Sequence, residues 1–318
     1  MTKKIEDKLE KIPIINLLVR LLKQLKLPGF EGLSIYDLLE LYVIGIARGA
    51  LATRASAIAF SFFMAIFPFL LFVLIVIPYI PIEGFRSEFL SFLNSFMPPN
   101  TSEFFDENIY GNINTGRGGL LSSVFLLSII LMANGVNALF SGFETSYHVQ
   151  LSRNVVKQYL YALGVALILA IMVILTVIIF GYVEIYLLQP LFDTLNKEGL
   201  TEVDSNVFWI VTAKYLFFLM MTYLATATLY YFGTKEGKQS SFFSVGALLT
   251  TLLFILTSYL FGIYINNFAQ YNELYGSIGA ILILMFYLWL NANILLLGYE
   301  LNASLNELRK FNNTHLKQ

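Results

Sequence analysis

Six stretches of this chain carry no Asp, Glu, Lys or Arg over the length needed to cross a lipid bilayer, and this pattern constrains the fold more than any motif does. They lie between Arg54 and Glu83, Arg117 and Glu144, Lys157 and Glu184, Lys214 and Lys235, Lys238 and Glu273, and Glu273 and Glu300. A charge near a bilayer centre costs about 2.5–3.5 kcal/mol on insertion scales, so charge-free gaps locate spans directly. A helix rising about 1.5 Å per residue crosses about 30 Å of hydrocarbon in roughly 20 residues. Trimmed for polar ends, the gaps predict helices near 56–80, 118–141, 159–186, 207–232, 242–265 and 275–299. Strands fit poorly, because the runs lack the period-two alternation of a barrel wall and are about twice as long as a barrel strand. The expected fold class is an all-α integral membrane protein with six transmembrane helices. Residues 1–53 are expected to form N-terminal amphipathic, interfacial helices, residues 54–305 the transmembrane domain, and residues 306–318 a cytoplasmic tail.

Composition narrows the chemistry. Only 13% of residues are charged, against roughly 25% in soluble domains. Cysteine is absent, which excludes disulfides, thiolate metal sites and thiol nucleophiles. His148 and His315 are the only histidines, too few for a multi-histidine metal centre. No metal and no cofactor is expected.

Orientation follows from the lysines and arginines of the connecting segments, because the insertion rule counts positive residues. Sixteen fall on the side that bears the N-terminal region, the second and third inner connections and the tail, and four fall on the other. Both termini are therefore expected in the cytoplasm. No cleavable signal segment is expected, since the first long apolar run begins after Arg54.

Outside the spans, residues 3–27 combine a helical apolar stripe (Leu18, Leu21, Leu22, Leu25) with flanking Lys23 and Lys26. That pattern predicts a helix lying on the anionic inner leaflet, with membrane lipids as its partners. A second helix is expected from Ser34 to Ala52, with Gly45 and Gly49 on one close-packing face. Between Glu83 and Arg117, the spacing of Phe85, Phe89, Phe92 and Phe96 predicts an amphipathic helix on the opposite surface.

Polar residues within spans carry the most functional information, because lipid does not solvate them. At 100° per residue, Arg54, Ser61, Ala65 and Pro68 share a face of the first span; Ser123, Asn134, Asn137 and Ser141, with Glu144 nearby, share one in the second. Ser244, Thr251 and Ser258 align in the fifth, and Gly276, Tyr287, Asn291, Gly298 and Asn302 in the sixth. The third span lacks such a stripe from Gly164 to Ile178 and is expected to be the most lipid-exposed. Two readings of the stripes stay open. Small and amide residues let membrane helices approach and bond one another, at roughly 0.6–2 kcal/mol per contact. Alternatively the stripes border a polar cavity or headgroup pocket, with Arg54, Ser61, Pro68, Asn134, Asn137, Glu144, Tyr287, Asn291, Glu300 and Asn302 as candidate substrate-binding residues. Arg54 leads that set, because a guanidinium at the inner end of a span grips phosphate bidentately. The competing role for Arg54 is a positive anchor or an ion-pair partner for Glu144 or Glu300.

Catalytic signals are weak. The run Gly233-Thr-Lys-Glu-Gly237-Lys238-Gln239 has one residue too few between its glycines for a phosphate loop, and Gln where Ser or Thr should meet magnesium. No nucleophile elbow or metal-ligand helix stands out, and the basic residues track a membrane surface with no nucleic-acid recognition module.

Two segments carry a family resemblance. Arg54-Ala-Ser-Ala-Ile-Ala-Phe-Ser61 continuing through Phe67-Pro68, and Tyr275-Gly-Ser-Ile-Gly279 through Trp289 to Leu297-Gly-Tyr-Glu-Leu-Asn-Ala303, resemble the opening and closing signatures of the YihY/BrkB family of bacterial membrane proteins. The resemblance runs over about residues 30–305. It implies a six-span protein of the bacterial inner (plasma) membrane with cytoplasmic ends. Some family members carry a ribonuclease label, and others are linked to serum resistance or envelope export. This sequence lacks the histidine and carboxylate clusters that metal-dependent phosphodiester cleavage uses. The expectation is a non-enzymatic protein that transports or handles a lipid or anionic amphipathic envelope substrate. A non-catalytic structural or interaction protein of the envelope is the alternative, and a membrane-associated ribonuclease is the third reading. No nucleic-acid partner is expected, and the sequence leaves the oligomeric state open.

Overall fold

The computed structural model describes residues 13–25, 34–36, 50–76, 118–144, 154–188, 190, 205–234, 241–268 and 277–315. Every regular element of two or more residues among them is helical: α1 (Pro13–Gln24), α2 (Ala50–Val76), α3 (Gly118–Glu144), α4 (Val155–Val183), α5 (Ser205–Gly233), α6 (Val245–Phe268) and α7 (Ser277–His315). A five-residue π-helical turn, Glu184–Leu188, continues α4. Helices α2 to α7 each contain a segment long and apolar enough to cross a membrane, matching the six charge-free gaps.

Helices are the open-ended way to satisfy every backbone N–H and C=O in lipid, and polar side chains here follow the same logic. The hydroxyls of Thr176, Thr222, Thr226, Thr228 and Thr251 each donate to the carbonyl four residues earlier on their own helix. The amides of Asn291 and Asn293 do the same. These bonds place a polar residue within a span without calling on a neighbour.

Each spanning helix packs against the next in the chain, and α7 closes back on α2, so the six form a ring in chain order. Helix α3 also reaches α7 and α5 across the ring. Those crossings centre on Phe143, whose ring stacks on Tyr299 at 4.2 Å and meets Tyr230 edge-on at 5.6 Å. Phe140, Phe143, Leu139 and Leu296 are fully buried there. Because Arg54, near the start of α2, lies at this level, it is called here the Arg54 end.

The structure departs from the sequence expectations in three places. Helix α2 begins at Ala50, ahead of the expected start at 56, so Arg54 sits within its first two turns. Helix α7 runs to His315, past the expected end at 299 and through the expected tail. Its 39 residues span about 58 Å at 1.5 Å per residue, and no Gly or Pro after Gly298 interrupts it. The third span, α4, is not the most exposed: it buries Gln158, Ala162, Val165, Ala166 and Ala170, whereas α5 has no buried residue in its most apolar window. Alanines at i, i+4 and i+8 provide α4 with a close-packing face that a search for hydroxyls and amides passes over.

At the N-terminal side, α1 exposes Leu21 together with Arg20 and Lys23, and Leu25 just past its end is exposed as well. The Lys23 ammonium lies 4.8 Å from the Tyr36 ring centre, and the Ile35 N–H donates to the Leu25 carbonyl at 3.1 Å. The expected helix Ser34–Ala52 falls mostly outside the described residues, and the expected helix between Glu83 and Arg117 falls wholly outside them.

Candidate functional site

Arg54 joins three helices. Its Nη1 donates to the Gly142 carbonyl of α3 at 2.9 Å, and its Nη2 donates to Glu300 Oε1 of α7 at 2.9 Å. Both charged side chains are largely enclosed, at 14% and 17% exposure. Glu300, one of the two acidic partners expected for Arg54, forms that pair. The Gly142 carbonyl is reachable because α2 and α3 approach closely: a methyl at Gly142 would stand 2.8 Å from Ile58 Cδ1, and one at Gly135 would stand 3.2 Å from Ala65 Cβ.

Ser304 follows Glu300 by one turn of α7. It is 6% exposed, and its hydroxyl oxygen has no hydrogen-bond partner among the described residues. A helical Cα–Cβ bond tilts toward the N-terminus, so this side chain leans toward the turn that carries Glu300.

A second polar group forms the α6–α7 seam. Asn302 Oδ1 accepts from the Gly246 N–H at 2.8 Å, and Asn302 Nδ2 donates to Ser244 Oγ at 2.8 Å. Tyr230 of α5 donates to the Leu295 carbonyl at 2.8 Å while lying 2.6 Å from Thr250 Oγ1. A phenol has one proton to give, so Thr250 is the donor in the second bond. Thr234 and the Tyr299 hydroxyl are 2.8 Å apart. Further along the seam, Tyr287 and Ser258 share a hydroxyl pair at 2.7 Å. Asn291, one turn from Tyr287, bonds back to the Tyr287 carbonyl.

Ser61, Pro68, Asn134 and Asn137 lie apart from the bonds described for these two groups. Ser61 bonds to the Ala57 carbonyl of its own helix, and Pro68 is half-buried two turns further along α2. On α3, Gly135 and Gly142 face α2 and Phe143 faces α5 and α7. Ser141 receives the Gln158 amide from α4 at 2.9 Å. The face left over carries Leu127, Ile130 and Asn134 and points away from the ring; all three are exposed. The Asn134 amide makes no hydrogen bond among the described residues. Asn137 is half-buried, as is Glu144 at the end of α3.

The faces that seal the Arg54 end open toward the other end. Tyr299 is 4% exposed, yet Ile281, eighteen residues earlier and so five full turns up the same face, is 47% exposed. Tyr230 is 3% exposed and Leu216, 40° from it on the wheel, is 60% exposed. On α4, Ala162 and Ala166 are buried and Val173, within 20° of Ala162, is 41% exposed. Along one face each, α5 and α7 thus change from packed to exposed, whereas α4 stays packed at Val177 and buries Leu188 at its far end. Near the open end, the Lys214 ammonium lies 5.4 Å from the centre of the Phe180 ring. Among the described residues, no group of three or more His, Asp or Glu side chains gathers where a metal ion could be held.

A ring of six apolar helices with its polar groups held between helices defines a polytopic membrane protein. The chain belongs to the family described as Virulence factor BrkB, whose profile matches residues 45–318. It is similar to the putative ribonuclease-like protein YfkH of Bacillus subtilis (strain 168), 28% identical over 260 residues that cover 81% of this chain and 91% of the relative. It is also similar to a UPF0761 membrane protein of Coxiella burnetii (strain RSA 493 / Nine Mile phase I), 26% identical over 258 residues covering 78% and 85% of the two chains. The UPF0761 membrane protein IL2447 of Idiomarina loihiensis is 31% identical over 112 residues, covering 35% and 37%. No solved structure matches the chain.

Sequence reasoning passed over Ser304, the stacked Phe143–Tyr299 pair and the contact between Gly246 and Gly298. The pairing of Gly298 and Asn302 on one face was visible, but the glycine that meets them on α6 has no distinguishing neighbour in the sequence.

Proposed function

We propose that this protein handles a lipid or another anionic amphipath of the envelope, sitting in the bacterial plasma membrane with both termini cytoplasmic. The observation that carries this reading is the change along α5 and α7 from packed to exposed. The exposed part of these faces carries Leu216 and Ile281, aliphatic side chains that match an acyl chain better than a hydrated solute. The sealed end bears Arg54 and, on the charge rule, faces the anionic inner leaflet. An amphipath would enter from the outer leaflet side, between helices, and meet an aromatic floor of Phe143, Tyr230 and Tyr299. The name of the Bacillus relative raises ribonuclease action; this proposal assigns no catalytic residue.

The test is lipid exchange in proteoliposomes. Headgroup-labelled lipid should cross between leaflets faster with the protein than in empty vesicles, as read by quenching from outside. Rates equal to protein-free vesicles would remove the lipid-handling reading.

A second reading has its own support. Tyr287 and Asn302 are taken up in helix contacts, and Asn134 faces away from the ring, as expected of a protein that organises partners within the envelope. That reading requires a reproducible membrane partner whose capture depends on the Asn134 face.

A further inference from the structure

We propose that Arg54 and Ser304 form a phosphate-binding subsite at the sealed end, in which the anion takes the place that Glu300 now holds on the guanidinium. The inference deepens the lipid-handling reading and rests on it for its physiological ligand, although the subsite itself is defined by these side chains alone.

Three observations converge. Arg54 is 14% exposed and meets Glu300 at 2.9 Å in a partly buried pair. Such a pair contributes little net stability, because desolvation offsets much of the attraction. A partner of higher charge and more acceptor oxygens competes well for the same donors, since guanidinium geometry matches phosphate bidentately. Second, Ser304 buries a hydroxyl that has no hydrogen-bond partner among the described residues. A buried unmet hydroxyl is destabilising and calls for an explanation. It stands one turn from Glu300 with its Cβ tilted toward that residue, where it would donate to an oxygen of a bound anion. Third, Arg54 ties α2 to α3 and α7 in one place, so exchanging its partner alters the contact between the first and last spans. Binding at this subsite and loosening of the sealed end are thereby the same event.

The experiment uses the full-length protein in nanodiscs of phosphatidylcholine alone, titrated with inorganic phosphate, and in nanodiscs that also contain phosphatidic acid. Thermal unfolding and direct binding are both read. Phosphate or phosphatidic acid should raise the unfolding temperature. Ser304→Ala should weaken binding about tenfold, the value of one hydrogen bond to a charged acceptor, while leaving the ligand-free unfolding temperature unchanged or higher. Ser304→Thr, which keeps the hydroxyl, should bind as the parent does. Glu300→Gln should bind about tenfold more tightly, because the competing carboxylate is gone. A response to inorganic phosphate identifies a free anion as sufficient, and a response confined to phosphatidic acid identifies the lipid headgroup. No response to either, or Ser304→Ala binding like the parent, overturns the subsite. Lipid exchange is measured alongside: intact phosphate binding without exchange removes the lipid-handling reading and leaves the subsite, whereas intact exchange with an indifferent Ser304→Ala removes the subsite alone.

Discussion

Gly246 and Gly298 meet backbone to backbone where α6 crosses α7. A methyl placed on Gly246 would collide with the Gly298 carbonyl and the Asn302 side chain, and one placed on Gly298 would collide with Thr250 Oγ1 and the Tyr230 hydroxyl. The close approach is what brings the Gly246 N–H within 2.8 Å of Asn302 Oδ1, and it sets the α6–α7 seam on which Tyr230 and Tyr287 also bond.

Gly298→Ala should therefore lower stability by about 1–3 kcal/mol, the usual cost of forcing extra volume into a packed contact. Gly262, with nothing within 4 Å of an added methyl, serves as the control: Gly262→Ala should be neutral or stabilising by a few tenths of a kcal/mol up to about 1. Denaturant unfolding in detergent measures both. Equal effects at the two glycines would show that the seam is looser than described.

Breaking the Arg54–Glu300 pair from one side should cost more than removing both charges. Glu300→Leu leaves a guanidinium enclosed at 14% exposure with its carboxylate gone, which costs about 3–5 kcal/mol in buried pairs. Arg54→Met with Glu300→Leu should recover most of that loss. A double-mutant cycle on unfolding free energy reads the coupling, and strict additivity would show that the two residues act independently.

Phe143→Ala should be among the most damaging single changes, at about 3–5 kcal/mol, since its ring is fully buried and stacks on Tyr299. Tyr299→Phe retains that stacking but leaves Thr234 without its hydroxyl partner at 2.8 Å, a loss of about 1–3 kcal/mol. Thermal unfolding of the two variants should rank them in that order.

The absence of cysteine makes single-cysteine probing of the open length direct. Ile281→Cys, Leu216→Cys and Val173→Cys should react with a small membrane-permeant maleimide, while Ala162→Cys, from the sealed part of the same α4 face, should not. Uniform protection would mean that the ring is filled throughout its length, as the partner-organising reading requires.

Asn134→Leu should leave the isolated protein as stable as the parent or slightly more so, because the amide has no bond to lose among the described residues and faces outward beside Leu127 and Ile130. Asn302→Leu should cost about 1–3 kcal/mol by contrast, since it strands the Gly246 N–H and removes one of the two bonds that Ser244 Oγ accepts. Comparing the two unfolding curves tests whether a polar stripe on a span has to mean an inward face.

The six spans were legible because charge exclusion from hydrocarbon is a large effect that acts residue by residue. The direction of each stripe was not. Helical periodicity groups Asn134 with Ser141 but says nothing about which neighbour, or lipid, lies over that face. Sequence leaves Arg54 as a ligand contact, a positive anchor or a partner of Glu144 or Glu300, and only tertiary packing brings Glu300 to it. The burial of α4 was hidden because alanine reads as apolar in composition while acting as a contact residue in a close helix pair. Ser304 was invisible for a related reason: a serine near the end of a long helix is unremarkable until its hydroxyl is found enclosed and unmet.

Closure of the ring by α7 against α2 has a consequence for biogenesis. The ribosome delivers Arg54 long before its partner, with 246 positions between the two charges. Until the last span arrives, the guanidinium can meet the Gly142 carbonyl of α3 but not the Glu300 carboxylate. A chain cut short before α7 would keep five of the six candidate spans yet lack the helix that closes on α2.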